Sequence, residues 1–437
     1  MHLLFRESRT LDDDAAAVDL GHAPADIVLL SFSDSDLAAA AAAWRTMPLP
    51  RPTLRLASLA QLRHPMSVDL YAERVIARAR CVLVRLLGGL DYWRYGAEEV
   101  AALCRARGIP LALLPGDARE DARLAALSTV TEPARARLDA LCRAGGPANL
   151  ARALGFAAHL GGLGGDPGGA EIAVPACGDH DFGVPATGPL GSAALVFYRS
   201  HLLAGDLAPL HALARAVQAR GLGLRAVFVG SLKDTAAAAF VAARLRAWRP
   251  AVVLNATGFS ARRDDAGSPL DTADAPVLQL VLAGSGREAW AASPRGLSAA
   301  DLAMQVVLPE LDGRLVTTAI GFKAPAETLP GLDYAPVVLA PDAAGIALAA
   351  DRAAGWALLA ATPRGARRIA VVLSDYPGAG GGQRAHAVGL DTFASLAAIR
   401  DALAEAGYAT GAADLATLAD VAPAPLLTLA EYPALFG

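Results

Sequence analysis

The strings in this chain that combine charge, aromaticity and backbone freedom are few. GGLDYWRYG at 88–96 sets Asp91, Tyr92, Trp93, Arg94 and Tyr95 beside two glycines. Aromatic faces next to a guanidinium suit a flat anionic ligand, and the same composition suits a loop that docks one domain on another. FYRSHLLAGD at 197–206 places Arg199, Ser200 and His201 directly after an apolar run, with Gly205 and Asp206 opening the next helix. His201 has the chemistry of a general base or a metal ligand, or of a hydrogen-bonded packing histidine. Asn255, Thr257 and Gly258 follow another apolar run, and Gln279 lies within the next. Cys177, Asp179 and His180 resemble half of a metal site, but no second pair lies nearby to complete it. Glu310, Asp312 and Gly313 read as a helix stop. A glycine-dense stretch near the end carries Asp375, Tyr376, Arg384, His386 and Asp391, and its bare amides suit carboxylates or other anions.

Several chemistries have no residues to carry them. Neither Lys233 nor Lys323 follows a glycine, so there is no GxxxxGK(S/T) phosphate loop. The two glycine-rich stretches miss GxGxxG, one at Gln383 and the other at Pro167. HExxH and GxSxG are also missing. Any ATP dependence therefore has to come from another protein. The 39 basic and 43 acidic residues are spread along the chain at net charge −4, with no basic block, which argues against nucleic acid as a partner. All but two of the basic residues are arginines, leaving lysine chemistry few places to sit. Cys81, Cys104, Cys142 and Cys177 contain no CxxC pair and read as buried small hydrophobes of a reducing compartment. The alanine-rich 336–361 stretch is interrupted by Asp342, Asp351 and Arg352, so no membrane span is expected. Arg6, Glu7, Arg9 and Asp12 to Asp14 occupy the place of a signal peptide's apolar region. A cytoplasmic protein is the expectation.

The elements that must position these residues alternate between strand and helix. Length alone, 437 residues, suggests about three domains. Apolar runs at 27–32, 81–87 and 110–114 predict strands, separated by helices through Trp44, over 67–79 and over 96–107. Ser33 or Asp34 is the expected cap of the first helix, Ser67 opens the second, and Gly108 ends the third. A second series predicts strands at 193–198, 224–229, 251–255, 276–282 and near 314–320, with helices at 207–220, 235–247 and from Ser298 to about Leu308. Strand–helix–strand units of this length make parallel sheets. The fold class is α/β: several consecutive doubly wound, Rossmann/flavodoxin-like parallel-sheet domains, the last incomplete. Expected divisions are a head domain over 1–130, a helical segment and Gly/Pro-rich linker over 131–190, a second α/β domain over 191–345, and the start of a third over 346–437. The third opens with a strand at Arg368–Leu373, a Gly-rich loop at 378–382 and a helix at 392–406, too little to cover a parallel sheet. Ligands of such sheets bind beyond the carboxyl ends of the strands, which selects the loops Ser31–Asp36, Gly88–Tyr95 and Gly116–Asp117 in the first domain. The Arg199–His201 and Asn255–Gly258 loops are selected in the second.

Together these strings carry a resemblance. LSFSDSDL (30–37), RHPMSVDLY (63–71), VRLLGGLDYWRYG (84–96), LPGD (114–117), FYRSHLLAGD (197–206), NATGFSAR (255–262), QVVLPELDGR (305–314), VVLSDYPG (371–378) and VGLDT (388–392) run in the order of the aerobic cobaltochelatase large subunits. The chain resembles that CobN-type family, and more distantly the large subunits of magnesium chelatase. The resemblance implies a ligase that inserts Co²⁺, its substrate metal, into hydrogenobyrinic acid a,c-diamide in cobalamin biosynthesis. It further implies that ATP and Mg²⁺ are handled by separate AAA-type partner subunits of the CobS/CobT type. Family members are several times longer and carry downstream a His/Glu string resembling HLGTHGxLEWLPGK, which this sequence lacks. The chain therefore reads as an N-terminal part, not catalytic alone, with the missing part as a candidate partner chain. A non-catalytic tetrapyrrole-binding or scaffold module and a magnesium chelatase homologue are the alternatives. The macrocycle's carboxylate arms call for arginines and amides. Candidate contacts are Arg199, His201, Asp206, Asn255 and Gln279, with Tyr92 and Arg94 for carboxylate contact or domain docking; no residue is assigned as catalytic or as a metal ligand. His386 stands where the family more often has an aromatic, and carries no assigned role.

Overall fold

The computed structural model describes residues 17–116, 121–263, 267–329, 331–373, 375–376, 383–384, 389–411, 428 and 431. Asp117, His386 and the 378–382 loop lie outside them. The chain divides after Ala357 into two compact units.

The first unit contains two sheets. Strands β1 (Ile27–Ser31), β2 (Leu54–Ser58), β3 (Cys81–Leu86) and β4 (Leu111–Pro115) form an all-parallel sheet in the order β2-β1-β3-β4. Their near-continuous apolar composition follows from burial on both faces. Ile27, Leu29, Cys81 and Leu83 pack under α1 (Asp34–Thr46), while Val28, Leu30, Val82 and Val84 face the opposite layer with α2 (Pro65–Arg74) and α3 (Arg94–Arg107). The connections are capped as their residues dictate. Ser33 accepts from Asp36 N at α1, and Gly108 takes the left-handed conformation that ends α3. The second helix starts earlier than expected, at Pro65, because His64 serves as its cap and the proline needs no partner for its nitrogen. A short α4 (Ala122–Leu127) leads into α5 (Glu132–Ala144) and α6 (Gly146–Leu160), whose Leu138, Leu141, Leu150 and Leu154 cover the first sheet on the α1 side. Gly145 and Gly146, both at positive φ, break what reads as one helix.

The second sheet has seven strands: β5 (Cys177–His180), β6 (Ser192–Tyr198), β7 (Gly223–Val229), β8 (Val252–Asn255), β9 (Val277–Ala283), β10 (Leu315–Pro325) and β11 (Val337–Pro341). Their order is β11-β10-β9-β8-β6-β7-β5, parallel throughout the centre and antiparallel at both edges. Helices α7 (Arg199–Ala204), α8 (Ala208–Ala219), α9 (Thr235–Trp248) and α10 (Arg287–Ala292) intervene. Then α11 (Ala299–Asp301) runs through a π-helical turn, Leu302–Val307, into α12 (Leu308–Leu311). The edge strand β5 corrects the reading of its residues as a flexible stretch: Cys177 to His180 pair with Val229 to Ala226. The apolar Ala343–Ala361 helix, α13, is long enough to cross a membrane by length and composition. Its Ile346, Ala349, Ala350, Ala353 and Ala357 belong to the core over the second sheet.

Described parts of the second unit include α14 (Thr392–Glu405), capped by Asp391 Oδ1 accepting from Ala394 N at 2.9 Å, and a two-residue ladder of Asp375–Tyr376 with Gln383–Arg384. The expected strand at Arg368–Leu373 is corrected. These residues carry no ladder, because no neighbouring strand among the described residues offers them one.

Candidate functional site

In each sheet of the first unit the strand order reverses once, and such a reversal opens a crevice at the carboxyl ends of the two diverging strands. In the first sheet these are β1 and β3. The crevice there is filled from within: Arg85 at the end of β3 reaches Asp36 Oδ1 at 2.6 Å, and Ser31 Oγ donates to Asp36 Oδ2 at 3.0 Å. The Arg85 and Asp36 side chains are 5% and 13% exposed. Burial raises the neighbouring Asp139 carboxyl and pushes the Cys142 thiol up to about 11.

In the second sheet the diverging strands are β6 and β8. Tyr198, the last residue of β6, donates its hydroxyl to Gly258 O at 3.0 Å across the gap. Asn255 and Gln279 are fully buried behind it. Asn255 Nδ2 donates to Gln279 Oε1 (2.7 Å) and to Thr257 O (2.9 Å), Gln279 Nε2 also donates to Thr257 O (2.9 Å), and Thr257 Oγ1 returns a bond to Asn255 Oδ1 (2.9 Å). The two amides thus hold the backbone that leaves β8. A buried ion pair supports the same loop: Arg314 reaches Asp312 Oδ2 at 3.0 Å, with side-chain exposures of 2% and 1%. Asp312 accepts from Ser260 Oγ and Ala261 N, both at 2.6 Å, and Arg314 also donates to Gln279 Oε1 at 3.2 Å. Sequence reasoning took Asp312 for a helix stop. The signal available was its spacing from Arg314, a charge of opposite sign two residues on. One residue of this loop, Phe259, is at φ +62°, and its amide donates to Met304 O of the π turn at 2.6 Å. A bulky side chain in that region costs about 1–3 kcal/mol and persists where the surroundings impose it.

The other predicted residues of this sheet are at its second polar focus. Arg199 opens α7 and donates to Val174 O (2.8 Å) and Pro175 O (2.9 Å), tying the segment before β5 to the end of β6. Burial lowers its pKa. Asp206 accepts from Leu339 N at 2.8 Å and lies 3.7 Å from Lys323 Nζ. His201 and Asp34 also feel the Lys323 charge: burial first, then Lys323, pushes the His201 imidazole down to about 4, while burial raises the Asp34 carboxyl against the pull of Lys323. The hydroxyl of Tyr334, buried and without a hydrogen-bond partner, senses Asp34. The structure therefore sets Asp206 beside one of the two lysines, whose charge also reaches His201 and Asp34 of α1. Lys323 was the residue missed, and its rarity was the signal.

This arrangement fixes a pH dependence. A histidine whose folded pKa is depressed favours the folded state above its ordinary value near 6.5, and that contribution is lost as acid drives the proton on. His180 and His22 are lowered too, first by burial. Asp34 and Asp139 are shifted the other way, so they oppose the loss only near the carboxylate range. The melting temperature is expected to fall by several degrees between about pH 7 and about pH 4.5. His201→Asn should flatten that slope. An unchanged slope in this variant would assign the dependence elsewhere.

The remaining candidates sit on the first domain's surface. Trp93 is buried, donating to Leu62 O at 2.7 Å, and Gly96 lies so close to its ring that a Cβ would fall 2.1 Å from it. Tyr92 and Arg94 are exposed, with Arg94 paired to Asp91, which Arg123 also holds at 3.0 Å. They are not brought together with Arg199 or Asn255 by any contact among the described residues. Cys177, Asp179 and His180 alternate along β5: Asp179 forms a bidentate pair with Arg244 (2.9 and 2.7 Å), while His180 packs edge-on against Phe182, 4.5 Å between ring centres. No group of three potential metal ligands occurs among the described residues.

An all-parallel sheet and a second sheet with a parallel centre and antiparallel edges, each with polar loops at a strand-order reversal, define an α/β protein of the doubly wound class. The family model described as CobN/Magnesium Chelatase matches residues 187–422, more than half the chain, and the protein belongs to that family. It is 38% identical to the aerobic cobaltochelatase subunit CobN of a Sinorhizobium species over 94% of this chain and 34% of that relative. The corresponding protein of Pseudomonas aeruginosa is 36% identical over 93% of this chain and 33% of its own length. The magnesium-chelatase H protein of Rhodobacter capsulatus is 27% identical over 51% of this chain and 20% of its own length. Among solved structures, the catalytic subunit of cobaltochelatase from Mycobacterium tuberculosis superposes with a TM-score of 0.65 at 28% identity, covering 87% of this chain and 31% of that one. The chain thus spans about a third of the length of the cobaltochelatase relatives it matches.

Proposed function

We propose that this chain is the macrocycle-holding part of a cobaltochelatase large subunit, binding hydrogenobyrinic acid a,c-diamide while Co²⁺ is inserted by machinery that other polypeptide segments complete. The observation that carries the reading is the match to two cobaltochelatase subunits along nearly the whole chain. Physically, metalation of an empty macrocycle is slow because the ring must distort and lose two N–H protons. A protein helps by fixing the ring rigidly and presenting a base. The buried network of Asn255, Gln279, Asp312 and Arg314 supports this, since a preorganised loop at a sheet's carboxyl end holds a ligand without first being ordered. Burial and Lys323 disfavour the protonated form of His201, so it is read as part of the wall facing the macrocycle and not as the base. ATP hydrolysis falls to AAA-type partners, in keeping with the missing phosphate loop. Cobalt is favoured over magnesium by identities of 38% and 36% against 27% over half the chain.

The test is reconstitution. Cobalt insertion, followed by the visible spectrum of the macrocycle with Co²⁺, ATP, Mg²⁺ and the ATPase partners, should be undetectable with this chain alone. It should appear when a polypeptide carrying the His/Glu string is added. Insertion at the same rate with and without this chain would contradict the proposal.

A further inference from the structure

The loop after β8 contains a feature that packing does not account for. Phe259 sits in the left-handed region, φ +62°, where glycine is at ease and phenylalanine is not. Three hydrogen bonds hold it there, beside a close backbone approach at Gly258. Its own amide bonds to Met304 O at 2.6 Å, the next two residues are fixed on Asp312, and Gly258 leaves only 3.0 Å between a would-be Cβ and Met304 O. The ring gains no core in exchange: it is half-buried and belongs to none of the apolar clusters. On the helix that supplies Met304, Val307 and Leu311, four residues apart, are 52% and 70% exposed. Arg262, three residues on from Phe259, is exposed and makes no ion pair among the described residues. An aromatic side chain held at a conformational cost, bonded through its backbone to a helix with exposed apolar side chains and followed three residues on by an exposed arginine, has the composition that receives a flat ring bearing carboxylates.

We propose that Phe259 is a platform on which the face or edge of the macrocycle packs, with Arg262 pairing one carboxylate arm. The inference deepens the macrocycle-binding reading and rests on it. Phe259 acts as a binding and positioning residue; no proton or bond changes on it.

The chain, titrated with hydrogenobyrinic acid a,c-diamide and followed by the ligand's own visible absorbance, separates the possibilities. Phe259→Gly removes both ring and strain, so it should melt no lower than the parent while its Kd rises about tenfold or more, the scale of one lost stacking contact. Phe259→Tyr should bind as the parent does. Arg262→Ala, a change at an exposed side chain, should weaken binding several-fold at an unchanged melting temperature, and it keeps the test open if the glycine variant is poorly folded. Parent-like binding by both Phe259→Gly and Arg262→Ala would overturn the platform and leave the macrocycle reading intact. A parent chain that does not bind at all would overturn the macrocycle reading and the platform with it.

Discussion

Asp312→Ala should destabilise the first unit by about 3–5 kcal/mol, seen as a large drop in the urea midpoint of tryptophan fluorescence. The size follows from what the substitution leaves behind. Arg314 is 2% exposed, and its counter-charge is the carboxylate 3.0 Å away. Without it a guanidinium stays buried, and Ser260 Oγ and Ala261 N lose their acceptor as well. The double variant Asp312→Ala/Arg314→Leu should recover part of the loss, because removing both charges avoids the uncompensated ion. A single variant within about 0.5 kcal/mol of the parent would show that the pair does not hold the loop.

Asp36→Ala is expected to be comparably damaging in the other sheet. Arg85 is 5% exposed and pairs with Asp36 at 2.6 Å, while Ser31 depends on the same carboxylate. The expected loss is again about 3–5 kcal/mol, and Arg85→Met in the same chain should restore part of it. Exposed pairs supply the contrast: breaking Arg74–Asp19 in the same unit, with side chains 58% and 44% exposed, should change the stability by no more than about 1 kcal/mol. Equal effects at the exposed and buried pairs would contradict the argument that burial sets the scale.

Legibility in the sequence followed the physics of each element. Apolar runs such as Ile27–Ser31 and Cys81–Leu86 were readable because strands buried on both faces need continuous hydrophobicity. Helix ends at Ser33 and Gly108 were readable because caps have few chemical solutions. Leu54–Ser58 was not anticipated: LRLAS carries Arg55, whose guanidinium is buried by bonds to carbonyls of Ala23 and Gly331 that lie far away in sequence. Cys177–His180 failed for the same reason, being an edge strand made by its partner β7 more than by its own residues. At the site, the loops were found from their position after strands. The roles inside them were not, because Asn255 and Gln279 are indistinguishable in sequence from ligand contacts until their partners are seen. The charge of Lys323 on β10 reaches Asp34 of α1 only through the fold.

The measurement that bears most directly on the macrocycle-binding account is a fluorescence titration of the folded chain with hydrogenobyrinic acid a,c-diamide, without ATP or partner subunits. Of the five tryptophans, Trp44 and Trp93 are buried in the first domain, and Trp248 and Trp290 pack beside the second sheet. Saturable quenching at micromolar ligand, weakened in Arg262→Ala, is the result expected of a chain that forms one wall of the pocket. A folded chain whose fluorescence does not saturate would contradict it, and would make these residues a docking and structural part of the subunit with the macrocycle held elsewhere.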